Sequence, residues 1–146
     1  MGTTRTPTIF DGELMKTITV AAAVISNAVG QLLLVRKHKT QYFMQVGGKL
    51  ELGESSQQTM LREIAEEIGV QAEIEQFIGR FETPAANEAD HLLVSYLYQV
   101  RLMGTPKIAA EIAEMQWIDL DEQELPLAPL TKQIVIPWYR QHTQTV

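Results

Sequence analysis

Residues 48–70 read GKLELGESSQQTMLREIAEEIGV, and the fold and the chemistry both turn on this stretch. Ser55 and Gln58 have the spacing of a capping box, in which the hydroxyl and the amide each satisfy a backbone group at a helix start. Gly69 followed by Val70 is a stop signal, because glycine takes the left-handed conformation and the next apolar residue packs back. The spacing therefore predicts a helix over Ser55–Ile68. At about 100° per residue, Met60, Leu61, Ile64, Ala65 and Ile68 form one apolar arc. Glu63, Glu66 and Glu67 fall in a separate arc beside it. Like charges at these spacings repel by roughly 0.2–0.5 kcal/mol per pair. Such crowding describes either a solvated face or a site for a hard cation.

The residues leading into the helix favour the cation. Gly47 and Gly48 let backbone approach a bound group closely, and Gly53 permits the turn into the helix. Backbone oxygens then lie beside three carboxylates. Oxygen donors, completed by water and substrate phosphates, are what Mg²⁺ prefers.

The chain around this unit has 146 residues, a length that suits one domain. Its net charge of −6 argues against an extended nucleic-acid partner, which normally needs a basic stripe. It leaves room for a small polyanion, since a divalent cation reverses the sign of an acidic pocket. There is no cysteine, hence no disulfide, thiolate site or cysteine nucleophile. No apolar run reaches the ~18–20 residues of a membrane span. The N-terminus lacks the apolar core of a signal peptide, so a cytoplasmic location is expected.

Residues 1–15 read as an extension: an edge strand, a tail or an expression remnant. From Lys16 onward, TITVAAAVIS, a turn at NAVG, and QLLLVRK predict a hairpin. YFMQV reads as a short third strand stopped by Gly47 and Gly48. AEIEQFIGRFE reads as a strand, TPAANEAD as a loop and HLLVSYLYQVRL as an alternating strand. EMQWIDL is a short strand, and LTKQIVIPWYRQH a terminal helix kinked or restarted at Pro137. The order βββαβββα predicts an α/β fold with a mixed sheet covered on both faces.

Residues 48–70 resemble the Nudix hydrolases. They match that family's box at every defined position: Gly48, Glu54, Arg62, Glu63, Ile64, Glu66, Glu67, Gly69 and Val70. Nine positions at fixed spacing are far more specific than a lone glycine motif. The resemblance implies an α/β/α sandwich over about residues 16–142 and hydrolysis of a pyrophosphate bond in a nucleoside diphosphate linked to another moiety. It implies that Glu63, Glu66, Glu67 and the carbonyl of Gly47 hold Mg²⁺, or Mn²⁺ in its place. One box carboxylate, or an acid from a later loop, would accept the proton of the attacking water. Arg62 would brace the site by pairing with Glu54 or Glu63. Lys49 is a candidate phosphate contact, and Arg36 belongs to a basic cluster, VRKHK (residues 35–39), that could rim the site. Glu111 is the preferred extra acid from a late loop, with Glu114, Glu88 and Asp90 as alternatives. One departure is Val46, where family members often carry proline.

Several residues carry blander readings. Tyr96, Tyr98, Trp117, Phe43 and Phe81 could stack on a base, but alternation assigns the tyrosines to a core or sheet face. His38, His91 and His142 lack partners at metal-ligand spacing. Pro84 falls slightly short of where some ADP-ribose-specific members carry a proline. Substrates left open are nucleoside triphosphates, ADP-ribose and nucleotide sugars. The alternative is a nucleotide-binding sensor of the same fold without turnover, against which the intact box counts. The expected partner is a small nucleotide or nucleotide derivative, with no membrane. A homodimer, in which the N-terminal segment reaches across, stays open.

Overall fold

The computed structural model describes residues 16–143, together with the backbone of residues 9–10 and 13–14. Those four residues form two short antiparallel strands, β1 (Ile9–Phe10) and β2 (Glu13–Leu14). The rest of the N-terminal extension lies outside the described residues.

The centre of the molecule is β3 (Lys16–Val24), whose run TVAAAVI sends alternate side chains into two different cores. Continuous apolar runs of this kind mark strands buried on both faces. β3 pairs in parallel with β7 (His91–Leu102) and antiparallel with β5 (Gly47–Lys49), and β6 (Ala72–Pro84) completes the order β5-β3-β7-β6. β4 (Leu32–Lys37) and β8 (Ile112–Ile118) form a second, antiparallel pair. The sheet is therefore mixed, as expected.

Helix α1 (Ser56–Ile68) covers one face, where Met60, Ile64 and Ile68 pack with Ala21, Ala23, Leu33, Val35, Tyr98 and Val100. A wide π-type turn (Thr131–Val135) runs into α2 (Ile136–Thr143) and covers the other. There Val135, Ile136 and Tyr139 meet Ala22, Val24, Leu34 and Leu97. Pro137 follows the π-type turn directly within one continuous helical stretch, where its missing N–H cannot bond the preceding turn. The result is an α/β/α sandwich.

Two local expectations are corrected. YFMQV is not a strand: Phe43 and Met44 make only isolated bridges, and the strand is Gly47–Lys49 itself. Glycine explains the shift. Gly47 lies opposite Ala22 and Gly48 opposite Ala21, and a Cβ on Gly47 would run into the carbonyl oxygen of Ala21. The second correction concerns α1. Leu61 and Ala65 are exposed, while Glu67 and Thr59 are buried. The helix is rolled so that part of its acidic arc points inward.

The capping box forms as read, with Gln58 N–H donating to the Ser55 hydroxyl at 3.1 Å and Ser55 N–H to the Gln58 side chain at 2.9 Å. Gly69 ends the helix at φ 66°. α1 is thus fixed in length and start, and β5 fixes the loop before it. We expect Gly47→Ala to destabilise the fold by roughly 1–3 kcal/mol, because backbone must move to admit the methyl group. Urea unfolding would show a lowered midpoint. An unchanged midpoint would mean that β5 can shift off β3 freely.

Candidate active site

Glu67 is 1% exposed, yet it is an acid. Its Oε1 accepts the backbone N–H of Gly47 at 3.1 Å, so β5 holds one end of the carboxylate. Among the described residues its buried Oε2 has no hydrogen-bond partner, and Lys37 Nζ lies 3.8 Å away. Burial pushes the Glu67 carboxyl up from 4.5 to about 8. Lys37 and the Gly47 N–H pull it back, while Glu63 and Glu111 push it further. A buried carboxylate oxygen with a lone pair to spare is the donor a hard cation needs.

Arg62 organises the remaining box acids. Its Nε and Nη2 donate to both oxygens of Glu54, at 2.6 and 2.9 Å. Its Nη1 donates to Glu63 at 3.0 Å and Glu66 at 3.2 Å. Arg62, together with the Thr59 hydroxyl, holds the Glu54 carboxyl down at about 2. The bidentate fork is a geometry that lysine cannot reproduce. Burial raises the Glu63 carboxyl, and Arg62 opposes the shift. Glu63 lies against Gly48 so closely that a Cβ there would strike its carboxylate. Among the described residues, no three acids or histidines already converge as a ligand set. Glu63 and Glu66 lean to Arg62, while Glu67 faces inward beside Gly47. The donors nonetheless suit a divalent cation, since the set is all oxygen and one buried member keeps an oxygen without a hydrogen bond.

Beside the acids opens a cavity of ≈ 200 Å³. Gly47, Gly48, Lys49 and Lys37 form its acidic-helix side, and Ile18, Val20, Leu93 and Leu130 belong to its apolar lining. Lys49, the candidate phosphate contact, is among the lining residues. Arg36 does not line the cavity: it donates to Glu114 at 2.7 Å and to the Thr40 carbonyl at 2.9 Å. Glu114 sits within β8, opposite Arg36. Glu111 precedes β8 and pairs with Lys37 at 3.4 Å. Glu88 lines the cavity and is 3.8 Å from His91. Asp90 sits at φ 60° in the adjoining loop. Phe43 and Tyr98 are buried, and Tyr96, Trp117 and Phe81 pack against the cores.

Two residues escaped the sequence reading. Lys37 was inside the basic cluster, but nothing local distinguished it from Arg36; only the pairing of β4 with β8 does. Gln45 lines the cavity, donates to the Ala23 carbonyl at 2.9 Å and accepts from the Thr131 hydroxyl at 2.7 Å. In sequence it is part of YFMQV, whose composition reads as a strand.

A family model described as the NUDIX domain matches residues 15–139. The chain belongs to the Nudix family. An 8-oxo-dGTP diphosphatase of Haemophilus influenzae is 39% identical over 71 residues, 46% of this chain and 52% of that one. The CTP pyrophosphohydrolase of Escherichia coli is 29% identical over 120 residues, 79% of this chain and 86% of that one. The crystal structure of a MutT protein from Methanosarcina mazei superposes with a TM-score of 0.72 at 18% identity, covering 90% and 98% of the two chains. With the Nudix box complete, the chain is a Nudix-type pyrophosphohydrolase.

The Glu67 environment has a consequence for stability in EDTA. Between pH 4.5 and about 8 the unfolded chain ionises this carboxyl while the folded one keeps its proton. Stability should therefore fall as pH rises through that window, then level off. Glu67→Gln should remove this slope, so its stability relative to wild type should rise between pH 5 and pH 8. Urea midpoints in EDTA at pH 5 and pH 8 measure it. Parallel pH profiles for the two proteins would contradict the assignment.

Proposed function

We propose that the Nudix domain, residues 16–146, hydrolyses a pyrophosphate bond of a nucleoside triphosphate, using Mg²⁺ or Mn²⁺ held by Glu63, Glu66, Glu67 and the Gly47 carbonyl. The observation that carries this reading is the buried Glu67 oxygen without a hydrogen bond, whose neighbours Gly47 and Lys37 line the cavity together with Lys49. A bound divalent cation would neutralise the diphosphate and acidify the attacking water.

The chain's own residues do the rest. The apolar end of the cavity takes the base. At about 200 Å³ it falls below the ~300–1,000 Å³ of sites for drug-sized ligands, which suits one base better than the two ends of a dinucleotide. Lys49 and Lys37 draw the phosphates toward the box helix. Arg62 positions Glu63 and Glu66 through its shared guanidinium. The water oxygen bonds to phosphorus, the bridging P–O bond breaks, and the leaving phosphate keeps that electron pair. A box carboxylate takes the water's proton. The names of the two relatives favour a nucleoside triphosphate. Pro84, which lines the cavity, keeps ADP-ribose as the second reading.

Product release from a panel with Mg²⁺, Mn²⁺ or EDTA tests the proposal. The panel holds ordinary and oxidised nucleoside triphosphates, ADP-ribose, nucleotide sugars and dinucleoside polyphosphates. We expect metal-dependent turnover of a triphosphate, reduced by orders of magnitude in a folded Glu67→Gln protein. Nucleotide binding without turnover would support the sensor alternative instead. No described helix is long and apolar enough to cross a membrane. A cytoplasmic location and a homodimer belong to the same proposal. A sedimentation mass fixed near 16.4 kDa across concentrations would remove the dimer.

A further inference from the structure

Lys37 stands between two acids that come from different parts of the chain. Its ammonium is 3.8 Å from the buried Glu67 Oε2 and 3.4 Å from Glu111 Oε1. Both partners are held from the backbone. Ala109 N–H donates to the Glu67 carbonyl at 3.0 Å, and Lys107 N–H to the Ile68 carbonyl at 2.9 Å, so the loop before β8 is stitched to the end of α1. His38 N–H donates to the Glu111 carbonyl at 2.9 Å, which ties the same loop to the end of β4. Ala110, at φ 52°, is the strained link inside this loop. Lys37 is the last residue of β4, and its side chain is 30% exposed. It also lines the cavity that would receive phosphate.

We propose that Lys37 is a tethered counter-cation that occupies the charge position of the metal beside Glu67 and gives it up when the metal binds. This rests on the proposed metal role of Glu67. Three features support it. The Glu67 Oε2–Lys37 separation is too long for a good hydrogen bond, so the ammonium compensates charge without saturating the oxygen. Four methylenes and one strand end let the ammonium move a few ångströms with no backbone change. The place it would move to, the cavity beside Gly48 and Lys49, is where a phosphate needs a cation. Arg36, one residue earlier, cannot exchange in this way, because Glu114 and the Thr40 carbonyl hold its guanidinium.

A stand-in cation competes with the ion it replaces. Water and the mobile lysine stem weaken that competition without abolishing it. Removing Lys37's charge should therefore tighten Mn²⁺ binding by roughly three- to tenfold, while the protein in EDTA becomes less stable. Mn²⁺ affinity, read by electron paramagnetic resonance at pH 8.5 without nucleotide, tests the first effect in wild type, Lys37→Met and Lys37→Gln. Both variants are expected to bind more tightly. Equal or weaker binding in both, with wild type binding and Glu67→Gln not, would overturn the proposal and leave the metal site standing. Absence of Mn²⁺ binding in wild type would overturn the metal reading, and this inference with it. Melting in EDTA at pH 8.5 tests the second effect. Lys37→Met should lower the midpoint beside Glu67 but not in a Glu67→Gln background. Equal losses in both backgrounds would show that Lys37 contributes packing and not charge.

Discussion

Burying the carboxylate of Glu67 is the constraint around which the rest of this structure is arranged. An ionised acid removed from water is costly unless it gains partners of opposite charge or hydrogen-bond donors. Among the described residues one oxygen has a single backbone donor, Gly47, and the other has only a distant lysine. The fold tolerates this because three elements converge there. β5 brings the Gly47 amide, β4 ends in Lys37, and the loop before β8 is bonded to the last turn of α1. Each of those placements follows from something local: glycines that can lie against β3, a β4–β8 register, and a helix ended by Gly69.

Arg62 plays the opposite part on the exposed side of the same helix. It spreads one positive charge over Glu54, Glu63 and Glu66, and so relieves the repulsion that three neighbouring acids would otherwise carry. The helix can then hold an acidic face without fraying. The two sides differ in kind. Arg62 meets its acids in close, directed hydrogen bonds, whereas Glu67 is left under-compensated. That asymmetry places the strongest demand for another cation at Glu67, next to the cavity. Glu63 lies close by over Gly48, where any side chain would displace it.

How much of this could be read from sequence depends on range. The helix, its capping box and its glycine stop are local patterns, and they form as read. The pairing of Arg62 with Glu54 and Glu63 was also legible, because the box fixes their spacing. What was not legible depends on pairing between distant segments. YFMQV has strand composition, yet the strand forms at Gly47–Lys49, because only residues without Cβ can lie that close to Ala21. Helical periodicity placed Glu67 with the exposed acids. The roll of α1 against the sheet instead buries it and leaves Leu61 41% exposed. Arg36 and Lys37 were indistinguishable as neighbours in a basic run. Cross-strand pairing commits Arg36 to Glu114 and aims Lys37 at Glu67 and Glu111.

The most direct test of the central role given to Glu67 is an anomalous difference map at the manganese edge, from crystals grown with Mn²⁺ and a non-hydrolysable nucleotide. We expect a peak within coordination distance of Glu67 and the Gly47 carbonyl, with Lys37 turned toward phosphate. A peak confined to Glu66 and the outer face of the helix, with Glu67 still buried against Gly47 and Lys37, would contradict it.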